Sequence, residues 1–439
     1  MAKKKRRRIS LGTTVMLTLT AVVLLCCVLF LSLLVGDGLY ERTSEFIRTL
    51  SEEGFFDASS GFEIAALRTA RDLQWIEPEA TPFPATAPPA TPTPVPQKLT
   101  IQISAAGTVY APKAVRESAQ EGGRFDFGPV FEGLGNTLSG ADLAIVTLET
   151  TTAGKDKGFG NYNTAPEILD ALRETGVDLV ALATERALDK GYEGLDLTIS
   201  ELTTRGLAYA GVSPDGNKPG AATMLRVGGV QVAVLSCSYG LSGEGDKKTK
   251  GDSRGVLALI DMQQLSQNIM NARLAGANVV VVLPHWGTKN KTDTPVNVRR
   301  QAVQMAEAGA DIILGTHPNV AQGTERLHVM RSDGLEHETV VCYSLGSLLT
   351  DARTKENTAG MAAHVSVTYD PVTRRTTLGD MYCTPVYIAR ERRENTAVYR
   401  VVDAENMKML ESLSETERQA AQEAVEIIRR ITQDQEGQG

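Results

Sequence analysis

From Leu99 onward the chain alternates short, mostly apolar runs with amphipathic stretches, and no other feature constrains its fold as tightly. The apolar runs are ADLAIVTL (141–148), VDLVALA (177–183), VQVAVLSCSY (230–239), NVVVVLPHW (278–286), DIILGTHP (311–318) and TVVCYSLG (339–346), preceded by the strand-like LTIQISAAG (99–107). Runs apolar on both faces suit strands covered on both sides. Helical spacing recurs between them, at 165–174, 195–204, 265–275 and 298–308. Strands alternating with helices predict an α/β fold. Three further strand-like runs follow, AHVSVTYD (363–370), TTLGDMYCTPVYIA (376–389) and TAVYRVV (396–402), and a terminal helix is predicted over 415–432. Polar residues cluster just past the strand C-termini: Glu149, Thr184-Glu185-Arg186, His285-Trp286 and His317. In open α/β sheets that edge is where ligands bind.

The N-terminal part has a different texture. Residues 11–35 read LGTTVMLTLTAVVLLCCVLFLSLLV, longer than a signal-peptide core and followed by no small-residue cleavage pattern. This predicts an uncleaved transmembrane helix over 11–36. The basic residues of 1–10 (Lys3, Lys4, Lys5, Arg6, Arg7, Arg8) place the N-terminus in the cytoplasm and the body outside the cell membrane. Residues 37–77 carry apolar residues at helical spacing and predict a juxtamembrane stalk. PEATPFPATAPPATPTPVPQ, within 78–98, predicts an extended Pro/Thr-rich linker. The main domain is then expected over 99–402, with a C-terminal helix and tail over 403–439. The net charge of −8 holds despite that basic start, so the rest of the chain is acidic, which argues against nucleic acid as a partner. Cys26 and Cys27 fall in the apolar run; Cys237, Cys342 and Cys383 are too few and too scattered for a disulfide framework, and the first two sit in strand-like runs as buried thiols.

Four segments, in order, carry a family resemblance. They are RFDFGPVFEGLGNTLSGADLAIVTLETT, NTAPEILDALRETGVDLVALATERALDKGYEGL, VVVVLPHWGTKN, and AGADIILGTHPNVAQ followed by VVCYSLGSLL. Together they resemble the CapA family of poly-γ-glutamate capsule biosynthesis proteins. The resemblance covers roughly residues 99 to 370 and implies a calcineurin-like metallophosphatase fold, a two-sheet sandwich flanked by helices. Such a site gathers carboxylates, imidazoles and an amide from several strand ends to hold two divalent ions, which acidify a water and neutralise a phosphoryl group. Measured against that pattern, the family's Gly-Asp becomes Gly107-Thr108, and its Asn-Leu-Glu becomes Thr147-Leu148-Glu149. Asn-Asn-His becomes Thr184-Glu185-Arg186, while His285-Trp286 persists. Gly-His-His-Pro-His becomes Gly315-Thr316-His317-Pro318-Asn319, and Ser-Leu-Gly-Asn becomes Ser344-Leu345-Gly346-Ser347. Packing signatures such as Phe125-Asp126-Phe127 and Leu188-Asp189 remain. The lost side chains are those that would aim lone pairs at an ion.

Three readings follow. The resemblance first implies a role in capsule or envelope polymer handling, poly-γ-glutamate or polysaccharide, alongside capsule-synthesis proteins, with a degenerate metal site and a binding or scaffolding role. The first alternative is a hydrolase of a phosphoester or amide-linked polymer, with one divalent ion (Mn or Zn) held by Glu149, Glu185, His285 and His317. The second is a metal-free sensor in which Arg186 grips an anionic ligand. Blander roles stand beside these. Glu185-Arg186 suits solvated loop charge, Trp286 suits packing, and His328, His337 and His364 suit surface or structural positions. Lys247-Lys248-Thr249-Lys250, with Lys289 and Lys291, suits a solvated loop face or contact with an anionic polymer. Asp142, Asp189 and Asp351 are placed by no motif closely enough to nominate.

Overall fold

The computed structural model describes residues 96–433 apart from 214–215, 217–219, 251–254, 332 and 394–395. The predicted anchor, stalk and all but the last residues of the linker lie outside the described residues. Among the described residues no helix is long and apolar enough to cross a membrane.

The first strands are β1 (Leu99–Val109), β2 (Gln120–Glu121), β3 (Arg124–Phe125), β4 (Leu143–Leu148), β5 (Leu179–Ala181) and β6 (Ala208–Ala210). The middle of the chain adds β7 (Thr223–Val227), β8 (Val230–Ser238), β9 (Val279–His285), β10 (Ile312–Leu314), β11 (Ala321–Met330) and β12 (Glu336–Leu345). The last are β13 (Ser347–Leu349), β14 (Ala359–Asp370), β15 (Arg375–Arg393) and β16 (Thr396–Asp403). One sheet runs β16-β15-β14-β1-β4-β5-β6, with β13 paired beside β1; the other runs β11-β12-β10-β9-β8-β7. Within them β1-β4-β5-β6 and β8-β9-β10-β12 are parallel.

The two sheets face each other across one apolar layer. Ile101, Ile103, Leu143 and Ile145 of the first sheet meet Val232, Val234, Val279, Val281 and Ile312 of the second, all buried. Because strand side chains alternate, the other face of each sheet needs its own cover. On the first sheet Ala144, Val146 and Val180 pack against Ile168, Leu169 and Leu172 of the helix Glu167–Glu174 and Leu195 and Leu202 of the helix Gly191–Thr204. On the second, Val280, Val282 and Ile313 pack under Leu265 and Ile269 of Met262–Leu274 and Ala302 and Met305 of Val296–Ala308. This explains the doubly apolar valine run of β9: it is sandwiched between sheet and helices. The result is the expected α/β architecture, two sheets flanked by helices. The predicted terminal helix runs Glu415–Gln433 and closes the inter-sheet layer with Ala421, Ala424 and Ile428.

Candidate functional site

The parallel strands of both sheets deliver their C-termini to one place. Glu149 follows β4, Glu185 and Arg186 follow β5, Tyr239 follows β8, His285 ends β9, and His317 follows β10. The bridge between His285 and Thr316 continues the β9–β10 pairing to this edge. His317 there has a φ of +98°, well outside the usual range for a side-chain-bearing residue. Such backbone strain costs on the order of 1–3 kcal/mol and persists only where surrounding structure imposes it.

The structure brings together Glu149, Glu185, Arg186, His285 and His317 from the strand ends, whereas Trp286 packs in the core beneath the helices of the second sheet and donates its Nε1–H to the Tyr343 carbonyl at 2.9 Å. Glu149, Glu185, His285 and His317 are each less than 5% exposed. His317 Nδ1 lies 3.2 Å from His285 Nε2, and His285 Nδ1 lies 3.1 Å from Thr316 Oγ1, so both nitrogens of His285 are engaged. Burial, then the neighbouring His317, drives the His285 pKa well below its usual value. Burial likewise lowers His317 to about 4, against an opposing pull from Glu185. Both imidazoles are therefore neutral at pH 7.

Two corrections concern charge. Lys289 is not a solvated loop residue. Its Nζ donates to Glu185 Oε1 at 2.7 Å and to Glu149 Oε1 at 3.5 Å, with the side chain 34% exposed. Its neighbours are pinned: Asn290 N–H donates to the Pro318 carbonyl at 2.8 Å, and Gln322 Nε2 donates to the Lys291 carbonyl at 2.8 Å. Nor is Glu185-Arg186 free loop charge. Arg186 Nε sits 3.1 Å from Glu185 Oε1 without pointing at it, Nη1 sits 3.4 Å from Asp189 Oδ2, and the guanidinium lies 3.8 Å above the Tyr162 ring. Tyr110 stacks on the far side of that motif, 4.9 Å from Tyr162. Asp189, which no motif nominated, is thereby part of the cluster and also accepts a hydrogen bond from Ser242.

Both oxygens of Glu185 are engaged: Lys289 holds one and the Tyr239 hydroxyl donates to the other. Burial would raise its pKa, but the hydrogen bonds from Lys289 and Tyr239 outweigh it and keep the carboxyl below its usual range. Glu149 is the opposite case. Burial raises it to about 7 despite Lys289, and its Oε2 has no partner among the described residues. Around these groups stand shielded hydroxyls without partners among the described residues, on Thr108, Thr147 and Thr184, the positions where the family resemblance expects metal ligands. Tyr239, Tyr162 and Asp189 escape sequence reasoning; only Tyr239, the residue after an apolar strand, carries a positional signal.

A divalent ion needs free lone pairs converging on one point. Here Glu185 and His285 have theirs engaged, and two cations sit beside the carboxylates. Among the described residues no group of three or more His, Cys, Asp or Glu side chains is disposed to hold a metal. As arranged, the residues do not fit the ion pair that the resemblance implies.

Comparisons place the chain among known proteins. The calcineurin-like phosphoesterase YfkN from Bacillus subtilis superposes with a TM-score of 0.41 at 13% identity, over 76% of this chain and 100% of that one. The "PGA biosynthesis protein CapA" of Bacillus subtilis is 30% identical over 209 residues, covering 47% of this chain and 51% of the relative. The "Capsule biosynthesis protein CapA" of Bacillus anthracis is 28% identical over 195 residues, 44% and 45% of the two chains. The chain thus spans about half the length of the curated relatives it matches. The family model for the bacterial capsule synthesis protein PGA_cap matches residues 102–352, more than half of the 439-residue chain. The match takes in Glu149, Glu185, His285, Lys289 and His317 alike, and the chain belongs to the bacterial capsule synthesis protein PGA_cap family.

Proposed function

We propose that this chain is a membrane-anchored, exterior-facing protein of capsule polymer biosynthesis, related to poly-γ-glutamate handling, whose strand-end site binds or scaffolds rather than hydrolyses. Family membership and the CapA relatives support the capsule role. The apolar run at 11–35 and the basic residues before it support the anchor and its orientation. Capsule-synthesis proteins and the polymer itself are the partners this reading implies.

The observation that carries the loss of metal chemistry is Lys289, 2.7 Å from Glu185 and 3.5 Å from Glu149. A tethered ammonium there neutralises the carboxylates that an ion would otherwise neutralise, and it repels any cation that approaches. Arg186 adds a second fixed positive charge paired with Glu185 and Asp189. Those pairings also count against Arg186 as a free grip for an anionic ligand. The partnerless Oε2 of Glu149 is the one feature that favours a single-ion hydrolase, since it leaves a buried carboxylate oxygen ready to accept.

The test is metal content. The purified full chain, never exposed to chelator, is expected to carry no stoichiometric Mn, Zn, Fe or Mg and to show no thermal stabilisation by added Mn²⁺ or Zn²⁺. Lys289→Met, which frees Glu185 and Glu149, is expected to gain such stabilisation. One bound ion per parent chain, lost in His285→Ala and His317→Ala, would instead support a surviving single-ion site and overturn the metal-free reading.

A further inference from the structure

A second polar site lies on the outer face of the β1-containing sheet, away from the strand ends. Gln102 and Ser104 of β1 point to this face, six and four residues before Thr108, or about 13–20 Å back along the strand. With His364 of β14, Tyr382 and Thr384 of β15, the 135–141 turn, Asp403 at the end of β16 and Asn406 beyond it, they line a cavity of about 510 Å³. That volume falls within the range of small-molecule sites, roughly 300–1,000 Å³.

Its floor is built rigidly. His364 is buried and held on both nitrogens, by Ser104 Oγ at 2.7 Å and by Thr384 Oγ1 at 3.1 Å. The Tyr382 ring lies parallel on it at 4.5 Å, 17° from coplanar, and is 58% exposed. Ser104 is itself buried and no carboxylate orients the imidazole, so the pair supports the tyrosine rather than activating a nucleophile. An exposed aromatic ring fixed from beneath is a flat apolar platform with a phenolic edge. Around it stand groups that both donate and accept: the amides of Gln102, Asn136 and Asn406. Gln102 Nε2 is shielded from solvent yet has no hydrogen-bond partner among the described residues. Asp403 is oriented by Thr137 Oγ1 at 3.1 Å and by the Glu405 N–H at 2.9 Å.

Charge sets the ligand class. Among the described residues neither Lys nor Arg lines the cavity, and the Asp403 carboxylate is the one charged side chain that does. Phosphates and carboxylates, including glutamate residues, would meet repulsion and no counter-charge. A flat aromatic ligand would satisfy the platform and strand the amides. A pyranose ring satisfies both, with one apolar face for the tyrosine and a rim of hydroxyls for the amides and carboxylate. We infer that this cavity is a binding site for a neutral sugar unit, independent of the strand-end cluster.

The experiment is ligand-observed saturation-transfer NMR on the full chain, kept in a detergent without a sugar headgroup. The probes are glucose, galactose and N-acetylglucosamine, with inorganic phosphate and L-glutamate as anionic comparators. At least one neutral sugar is expected to bind with a roughly millimolar dissociation constant, weakened about tenfold or more in Tyr382→Ala and in Asn136→Ala. Both side chains are solvent-exposed, so the variants are expected to keep the parent melting temperature. The inference is overturned if no neutral sugar binds, if binding survives both substitutions unchanged, or if phosphate or glutamate competes for the same cavity.

Discussion

Individual histidines show how burial, not sequence neighbourhood, decides what a titratable group does. His364 sits in a β-strand run with no charged residue beside it, and burial alone lowers its pKa to about 4 from the usual 6.5. The unfolded chain therefore binds a proton at this residue between those values while the folded chain does not. Stability contributed by the neutral ring is complete above pH 6.5 and is lost as pH falls towards 4. Glu149, raised to about 7 by burial, tilts the profile the other way between its usual 4.5 and 7, so the parent alone cannot isolate His364. Comparing urea midpoints of parent and His364→Gln at pH 7 and pH 4 does isolate it. The parent is expected to lose about 1–3 kcal/mol more than the variant on acidification; equal losses would refute the assignment. At this scale the sequence exposed Glu149, Glu185, His285 and His317 because they end apolar strands. It hid Lys289, because nothing in GTKNK says that the bonds of Asn290 to Pro318 and Gln322 to Lys291 turn one lysine inward.

At the scale of elements, the crossing of β1 with the Leu345–Ser347 junction fixes the geometry of the strand-end edge. Thr108 N–H donates to the Gly346 carbonyl at 3.0 Å, and a Cβ on Gly107 would lie 2.2 Å from that same oxygen. Gly346 in turn has a φ of +71°, a conformation that favours glycine. The β1–β4 register shifts between Ala105 and Thr108, at this crossing. Gly107→Ala drives carbon into backbone rather than into a movable side chain, so it is expected to destabilise the protein by about 2–4 kcal/mol. A thermal or urea melt reads that loss, and a neutral result would mean the strands separate more easily than their contacts imply. Gly107 keeps its place in the motif for packing, while its neighbour Thr108 no longer offers a carboxylate. Strand and helix positions were legible because apolar periodicity reports burial directly. The helix predicted over 298–308 begins at Val296, and that predicted over 165–174 begins only at Glu167, after Pro166. The pairing of β14 with β1 and the platform of Tyr382 on His364 were not legible, since cross-strand neighbours depend on register between distant segments.

For the molecule as a whole, the proposed topology makes a demand that the chain's chemistry can answer. The body offers few handles for labelling from outside: Cys237 and Cys342 are buried, and half-buried Cys383 has its thiol pushed up to about 12 by burial, which leaves little thiolate at neutral pH. Protease accessibility is the better probe. The segment at 78–98 is rich in Pro, Thr and Ala and has no apolar pattern to pack, whereas the body from β1 onward is closed by the terminal helix Glu415–Gln433. If the N-terminus is cytoplasmic and the body exterior, a protease added to intact cells reaches the linker first. It should release a fragment beginning near β1 that resists further digestion, leaving the basic N-terminus protected behind the membrane. A chain that stays full-length on whole cells and is cut at the linker only after lysis would reverse the orientation inferred from Lys3 to Arg8. It would also move both the strand-end cluster and the sugar cavity to the cytoplasmic side, where they would meet polymer precursors rather than finished capsule.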